Sequence, residues 1–233
     1  MTDWKIEKPD ADEKGCGIAH QWIQKRGLNW DILEEKAHIR AVYVGRDYGG
    51  VGVAVPMFGV PRQNEIIRIC RPKNIRYLNP AGKKIESLFN AQVLNNNDNP
   101  VIITEGITDA LTMIQIKPLA MEVVSIPGTL HAGNVELFEK LAGRVVLIAM
   151  DNDEPGEKAA NELIKNLHFV GAKAVQKINI PPQFNDINEW FINTGETDIL
   201  IEVMTSYARA VDSKKKISYE NSNEKTAHVI FTR

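Results

Sequence analysis

Hydrophobic and polar positions follow two different rhythms on either side of residue 97. In the first part, Ile18, Ala19, Trp22 and Ile23 recur at helical spacing and stop at Gly27, which predicts a helix over 18–25. The polar stretch 1–17 before it, with Pro9, Gly15 and Gly17, reads as an irregular lead-in. A second short helix is expected over 30–37. From residue 39 to 77 the pattern changes to alternating, β-branched runs broken by Gly and Pro. Antiparallel strands are expected there at 41–44, 51–58 and 65–70. The tract Asn95-Asn-Asn-Asp-Asn-Pro100 consists of turn formers and reads as a linker.

Beyond that tract, short continuous apolar runs alternate with amphipathic stretches. Strands are expected at 101–105, 122–126, 145–151 and 174–180, and helices at 107–117, 133–142, 155–169 and 186–193. Strands apolar on both faces, joined through helices, imply a parallel sheet with right-handed crossovers. A last helix is expected over 198–211, followed by a polar, mobile tail over 212–225.

Two of these runs end abruptly in acids: Val101-Ile-Ile-Thr-Glu-Gly-Ile-Thr-Asp109 and Val145-Val-Leu-Ile-Ala-Met-Asp-Asn-Asp153. Open α/β sheets bind ligands just beyond the carboxyl ends of their strands. Glu105, Asp109, Asp151 and Asp153 therefore gather at one edge of one sheet, and Asp186 follows the fourth strand to the same edge. Two carboxylates about 4 Å apart repel by roughly 4 kcal/mol at an effective dielectric near 20. Such a cluster holds protons or a cation, and donors that are all oxygen favour Mg²⁺ or Mn²⁺ over zinc. The same residues also suit plainer work. Asp153 before Pro155 is a natural helix N-cap, Asp109 favours a helix dipole, and Asn185-Asp186 makes a turn.

A content of 43% hydrophobic and 25% charged residues is that of an ordinary soluble globular chain. The start, Met1-Thr-Asp-Trp-Lys-Ile-Glu-Lys8, lacks an apolar signal core and no run is long enough to span a bilayer, so a cytoplasmic protein is expected. Two distant cysteines, Cys16 and Cys70, build neither a zinc site nor an expected disulfide. The net charge of −2 hides an uneven distribution. Arg62, Arg68, Arg71, Lys73, Arg76, Lys83 and Lys84 face only Glu65 in their window, while acids concentrate over 98–162. A basic module followed by an acidic one suits a polyanion bridged to a metal, and a basic solvated face is the plainer alternative. Trp4, Trp22, Trp30 and Trp190 read as packing residues.

Glu-Gly-x-x-Asp at 105–109, followed by Asp-x-Asp at 151–153, resembles the Toprim domain shared by primases, topoisomerases and certain nucleases. Further segments resemble the RNA-polymerising core of bacterial and phage DnaG-type primases. These are Trp22-Ile-Gln-Lys-Arg-Gly-Leu28, Gly52-Val-Ala-Val-Pro-Met-Phe58, Ile75-Arg-Tyr-Leu-Asn-Pro80 and Ser87-Leu-Phe-Asn90. Ser125-Ile-Pro-Gly-Thr129, Asp151-Asn-Asp-Glu-Pro-Gly-Glu-Lys-Ala-Ala160 and Phe184-Asn-Asp-Ile-Asn-Glu-Trp190 continue the likeness. Two positions depart from it: Asn152 stands for Gly, a loop change outside the chemistry, and Asn188 stands for an acid, which removes a donor for an extra metal.

The resemblance implies an α/β fold, a Toprim domain with a four-stranded parallel sheet flanked by helices, preceded by a smaller α+β subdomain with antiparallel strands. The expected divisions are a basic subdomain over 1–97, the Toprim domain over 98–195, and a helix with a mobile tail over 196–233. It also implies synthesis of short RNA primers from NTPs on a single-stranded DNA template. Glu105, Asp151 and Asp153 would be catalytic and, with Asp109 and Asp186, would hold Mg²⁺ or Mn²⁺. Arg71, Lys73, Arg76, Asn79 and Lys83 would bind nucleic acid or NTP, and Gly106, Gly128, Thr129 and Gly156 would shape the loops. The zinc module and helicase domain of larger primases have no counterpart in these residues, which suggests a core partnered by a replicative helicase or a zinc-bearing subunit. A Toprim nuclease and a non-catalytic replication adaptor are the competing readings.

Overall fold

The computed structural model describes residues 10–45, 47–48, 50–57, 65–73, 75–78, 87–95, 97–116, 120–126 and 128–230. The expectations placed on Trp4, the first nine residues, Phe58, Arg62, Asn79, Lys83 and Lys84 lie outside the described residues.

Helices α1 (Glu13–Gln24) and α2 (Trp30–Ala37) open the fold. The sequence places the start of α1 later, because Gly15 and Gly17 weaken a helix. Asp12 overrides them as an N-cap, its carboxylate accepting the Gly15 N–H at 2.9 Å. Helix α2 ends at His38 in the left-handed conformation. Strands β1 (Arg40–Gly45), β2 (Gly50–Pro56), β3 (Glu65–Ile69) and β4 (Tyr77–Leu78) form an antiparallel sheet in that order.

The second sheet is parallel, in the order β6 (Glu122–Ser125), β5 (Val101–Thr104), β7 (Val145–Ala149), β8 (Ala174–Lys177). Its connections include α3 (Ile107–Ile116) and α4 (Glu154–Phe169), and α5 (Ile187–Thr194) and α6 (Thr197–Ile230) follow β8. An antiparallel bridge from Phe89 to Ser125 attaches the preceding segment to β6 at the sheet edge.

Successive residues of β5 and β7 bury on opposite faces. Ile102, Val145, Leu147 and Ala149 join one hydrophobic cluster, while Val101, Ile103, Val146 and Ile148 join another. That division explains why these strands read as continuous apolar runs. The first cluster also contains Ile23, Leu33, Val53 and Val55, so α1, α2 and the antiparallel sheet share a core with one face of the parallel sheet. The Asn-rich tract between the sheets is tied down rather than loose. The Arg144 guanidinium, 4% exposed, donates to the carbonyls of Leu94 and Asn99 at 2.8 and 3.1 Å and also to that of Asn97.

Two further elements differ from expectation. Residues Val135–Leu141, expected as an α-helix, form a 3₁₀ helix that buries Leu137, Phe138 and Leu141. Asn134 supplies no side-chain cap and Ala142 leaves helical geometry, so the segment is too short to sustain an α-helical ladder. The polar stretch 212–225, expected as a tail, continues α6 to Ile230. No Gly or Pro occurs after Gly195 to stop it. Among the described residues, no helix is long and apolar enough to cross a membrane.

Candidate active site at the carboxyl edge of the parallel sheet

Glu105 is the first residue beyond β5, and its backbone N–H donates to the carbonyl of Ala149 at 3.2 Å. Its carboxylate accepts the backbone N–H of Asp151 at 3.3 Å, which ties together the acids at the two central strand ends. Asp153 caps α4 by accepting the Gly156 N–H at 2.7 Å, and Asp186 caps α5 by accepting the Glu189 N–H at 2.6 Å. Asp153 therefore does the capping work that its sequence context suggests, and Asp186, whose plainer reading was a turn, caps α5 instead. Asp109 lies in the first turn of α3, 7% exposed, where its carboxylate accepts the Asn188 N–H at 3.0 Å.

Gly156 has a geometric cause. A Cβ there would stand 2.3 Å from the carbonyl oxygen of Asp151, so α4 can start this close to β7 only with glycine. Gly106 sits against the Asp109 carboxylate, where a Cβ would come within 3.0 Å of it. Gly128, at φ +110°, precedes the 3₁₀ turn Thr129–His131 beyond β6, on the same edge of the sheet.

Burial and mutual repulsion act on the acids in one direction. The Asp151 carboxyl is pushed up to about 7, first by burial and then by Glu105, Asp186 and Asp153. Glu105 is raised by burial, then by Asp153 and Asp186. Asp109 is raised well above the usual carboxylate range by burial, with Asp186 and Asp151 adding to it. These charges resist one another, and a cation would relieve the conflict. Among the described residues no three His, Cys, Asp or Glu side chains form a preformed metal cage. The donor set is carboxylate oxygen, which fits Mg²⁺ or Mn²⁺ held through one or two carboxylates with water completing the shell.

Arg71, Lys73 and Arg76 are exposed at the β3–β4 end of the antiparallel sheet. The structure adds residues that the sequence reading gave no role in the site. Trp22, read as packing, is buried and also carries the Arg26 guanidinium at 3.6 Å and that of Arg68 at 5.4 Å from its ring centre. Arg68 also lies 5.0 Å from the Tyr77 ring. Burial lowers the pKa of Arg26, Arg68 lowers it further, and Asp186 acts in the opposite sense. A paired-arginine, aromatic cluster thus lies within electrostatic reach of the acidic edge. The sequence signals for it were Trp22 and Arg26 one helical turn apart and the place of Arg68 in the basic window.

Asn188, where the resemblance has an acid, turns away from solvent. Its side-chain N–H groups donate to the Arg26 carbonyl and the Thr112 hydroxyl, each at 3.0 Å. It joins α5, α3 and the end of α1 instead of offering a charge.

Residues 102–191 match the model of a family described as Toprim-like. Over these residues the chain is similar to that family. The chain is 29% identical over 141 residues to a DNA primase of Mycoplasma genitalium, a match covering 55% of this chain and 22% of that relative's length. The fold is similar to the primase fragment of the bacteriophage T7 primase-helicase protein, with TM-score 0.62 and 20% identity over 86% of this chain and 80% of that one. It is also similar to the DnaG primase catalytic domain bound to single-stranded DNA, with TM-score 0.60 and 16% identity over 84% and 76% of the two chains. The Toprim-like domain and the antiparallel subdomain before it together have the fold of a primase catalytic core.

Proposed function

We propose that this chain is a DNA primase catalytic core that joins ribonucleotides into short primers on single-stranded DNA. The observation that carries the proposal is the set of mutually repelling carboxylates, Glu105, Asp151, Asp153 and Asp186, at the carboxyl edge of a Toprim-like sheet. Glu105, Asp151 and Asp153 would hold Mg²⁺ or Mn²⁺, supported by Asp109 and Asp186. The ion, when bound, would acidify the primer 3′-hydroxyl and stabilise charge on the attacking and leaving oxygens. Glu105 and Asp151 present their carboxylates from adjacent strands. Asp153 and Asp186 do so from helix N-termini whose N–H groups hold each carboxylate in place. Arg71, Lys73 and Arg76 would grip phosphates without reading bases. Asn79 and Lys83 would share that role. A replicative helicase or a zinc-bearing subunit is the proposed protein partner.

Incubation with single-stranded DNA, labelled NTPs and Mn²⁺ tests the proposal. New oligoribonucleotides are expected. Shortened DNA would instead make the chain a Toprim nuclease, and no change in either species would make it a replication adaptor.

A further inference from the structure

Asn152, the middle residue of Asp151-Asn152-Asp153, has a place in the structure that the acids flanking it do not explain. Its side-chain amide donates towards three carbonyls of one loop: Ile180 at 3.1 Å, Pro181 at 3.2 Å and Phe184 at 2.8 Å. Its backbone N–H donates to the Asn185 carbonyl at 2.7 Å. An amide has only two N–H bonds, so the three acceptors share them. The loop runs from β8 to Asp186, the residue that caps α5. A single side chain just past β7 thus fastens residues 180, 181 and 184 on the approach to that acid.

We propose that Asn152 is a positioning residue that fastens loop 180–185 to the end of β7 and so presents Asp186 to Glu105 and Asp151. Its side chain touches none of the acids and acts through the loop. Without it, the backbone contact to Asn185 remains, but the carbonyls of residues 180, 181 and 184 turn to water. Asp186 keeps its place at the start of α5, with Asn185 held by the Glu189 carboxylate at 2.7 Å, but the loop leading to it loses its side-chain fastening to β7. The inference deepens the primase reading and rests on it for the use made of Asp186.

Asn152 is exposed and outside the core, so Asn152→Ala should fold. Two measurements on the metal-free full chain test the inference. Amide exchange in segment 180–187 should speed up about ten-fold in Asn152→Ala, with β5 and α4 unchanged, because hydrogen bonds of ordinary strength are lost locally. Calorimetric titration with Mn²⁺ should show binding weakened about five-fold in Asn152→Ala and in Asp186→Asn. The double variant should be no weaker than the weaker single one, since both changes act through one group. Unchanged exchange, unchanged Mn²⁺ affinity in Asn152→Ala, or losses that multiply in the double variant would each overturn the inference. Normal Mn²⁺ binding without primer synthesis by the wild-type chain would overturn the primase reading and leave the fastening role standing.

Discussion

Asp151 carries the sharpest consequences of the acidic edge. Replacing it by Asn, or Glu105 by Gln, removes a charge from a group of like charges while keeping size and most hydrogen-bonding capacity. Primer synthesis should fall to background, and the metal-free protein should melt at the same temperature or higher. Wild-type synthesis by either variant with Mg²⁺ would refute the role given to these acids. The direction of the pH effect follows from the same cluster. Asp151 in the folded chain titrates at about 7, above its ordinary carboxylate value in the unfolded chain. The folded state therefore binds more protons between those two values. The stability this contributes is complete below the ordinary carboxylate range and is lost as pH rises through about 7; Glu105 and Asp109 shift in the same direction. Thermal melts without metal should show a higher midpoint near about pH 5 than near about pH 8, with a smaller difference in Asp151→Asn.

At the scale of elements, the site depends on how closely a helix can follow a strand. Gly156→Ala should destabilise the chain by about 1–3 kcal/mol, because its Cβ would meet backbone and not a movable side chain. Chemical denaturation measures this, and a variant as stable as wild type would mean that α4 can shift away from Asp151 at no cost. Much of this architecture was legible beforehand. The two central parallel strands, β5 and β7, were readable because burial on both faces produces unbroken apolar runs, and the acids after them marked their ends. What escaped was decided by partners distant in sequence, by single caps or by the absence of a helix breaker. Asp12 extends α1 through two glycines, the segment before β7 tightens to 3₁₀, and an uninterrupted run of helix-tolerant residues prolongs α6. The work of Asn152, Asn188 and Arg68 was not legible for the same reason. An asparagine looks alike in sequence whether it meets water or three carbonyls, and only the fold supplies the carbonyls.

For the molecule as a whole, the question is how a chain of net charge −2 would hold a polyanion at an acidic edge. Charge separation answers it. Arg68, Arg71, Lys73 and Arg76 of the basic window lie on or beside the antiparallel sheet, the acids lie at the parallel sheet's edge, and Arg26 responds to both Arg68 and Asp186. Backbone phosphates would be drawn to the first region and kept off the second except where a cation intervenes. Exposed Arg71, Lys73 and Arg76 would then be phosphate contacts and not base readers. Replacing all three with Ala should weaken binding to every single-stranded sequence alike, and each lost contact should reduce the log–log salt slope by roughly 0.7. Binding measured across a salt series on two unrelated oligonucleotides separates this from sequence reading. Loss confined to one oligonucleotide would assign these residues to base recognition, whereas an unchanged slope on both would return them to ordinary surface. In that event the paired arginines around Trp22 would be left as the cationic surface nearest the acids. Arg68→Ala, which keeps Trp22 and Arg26, would then be the variant that lowers the slope.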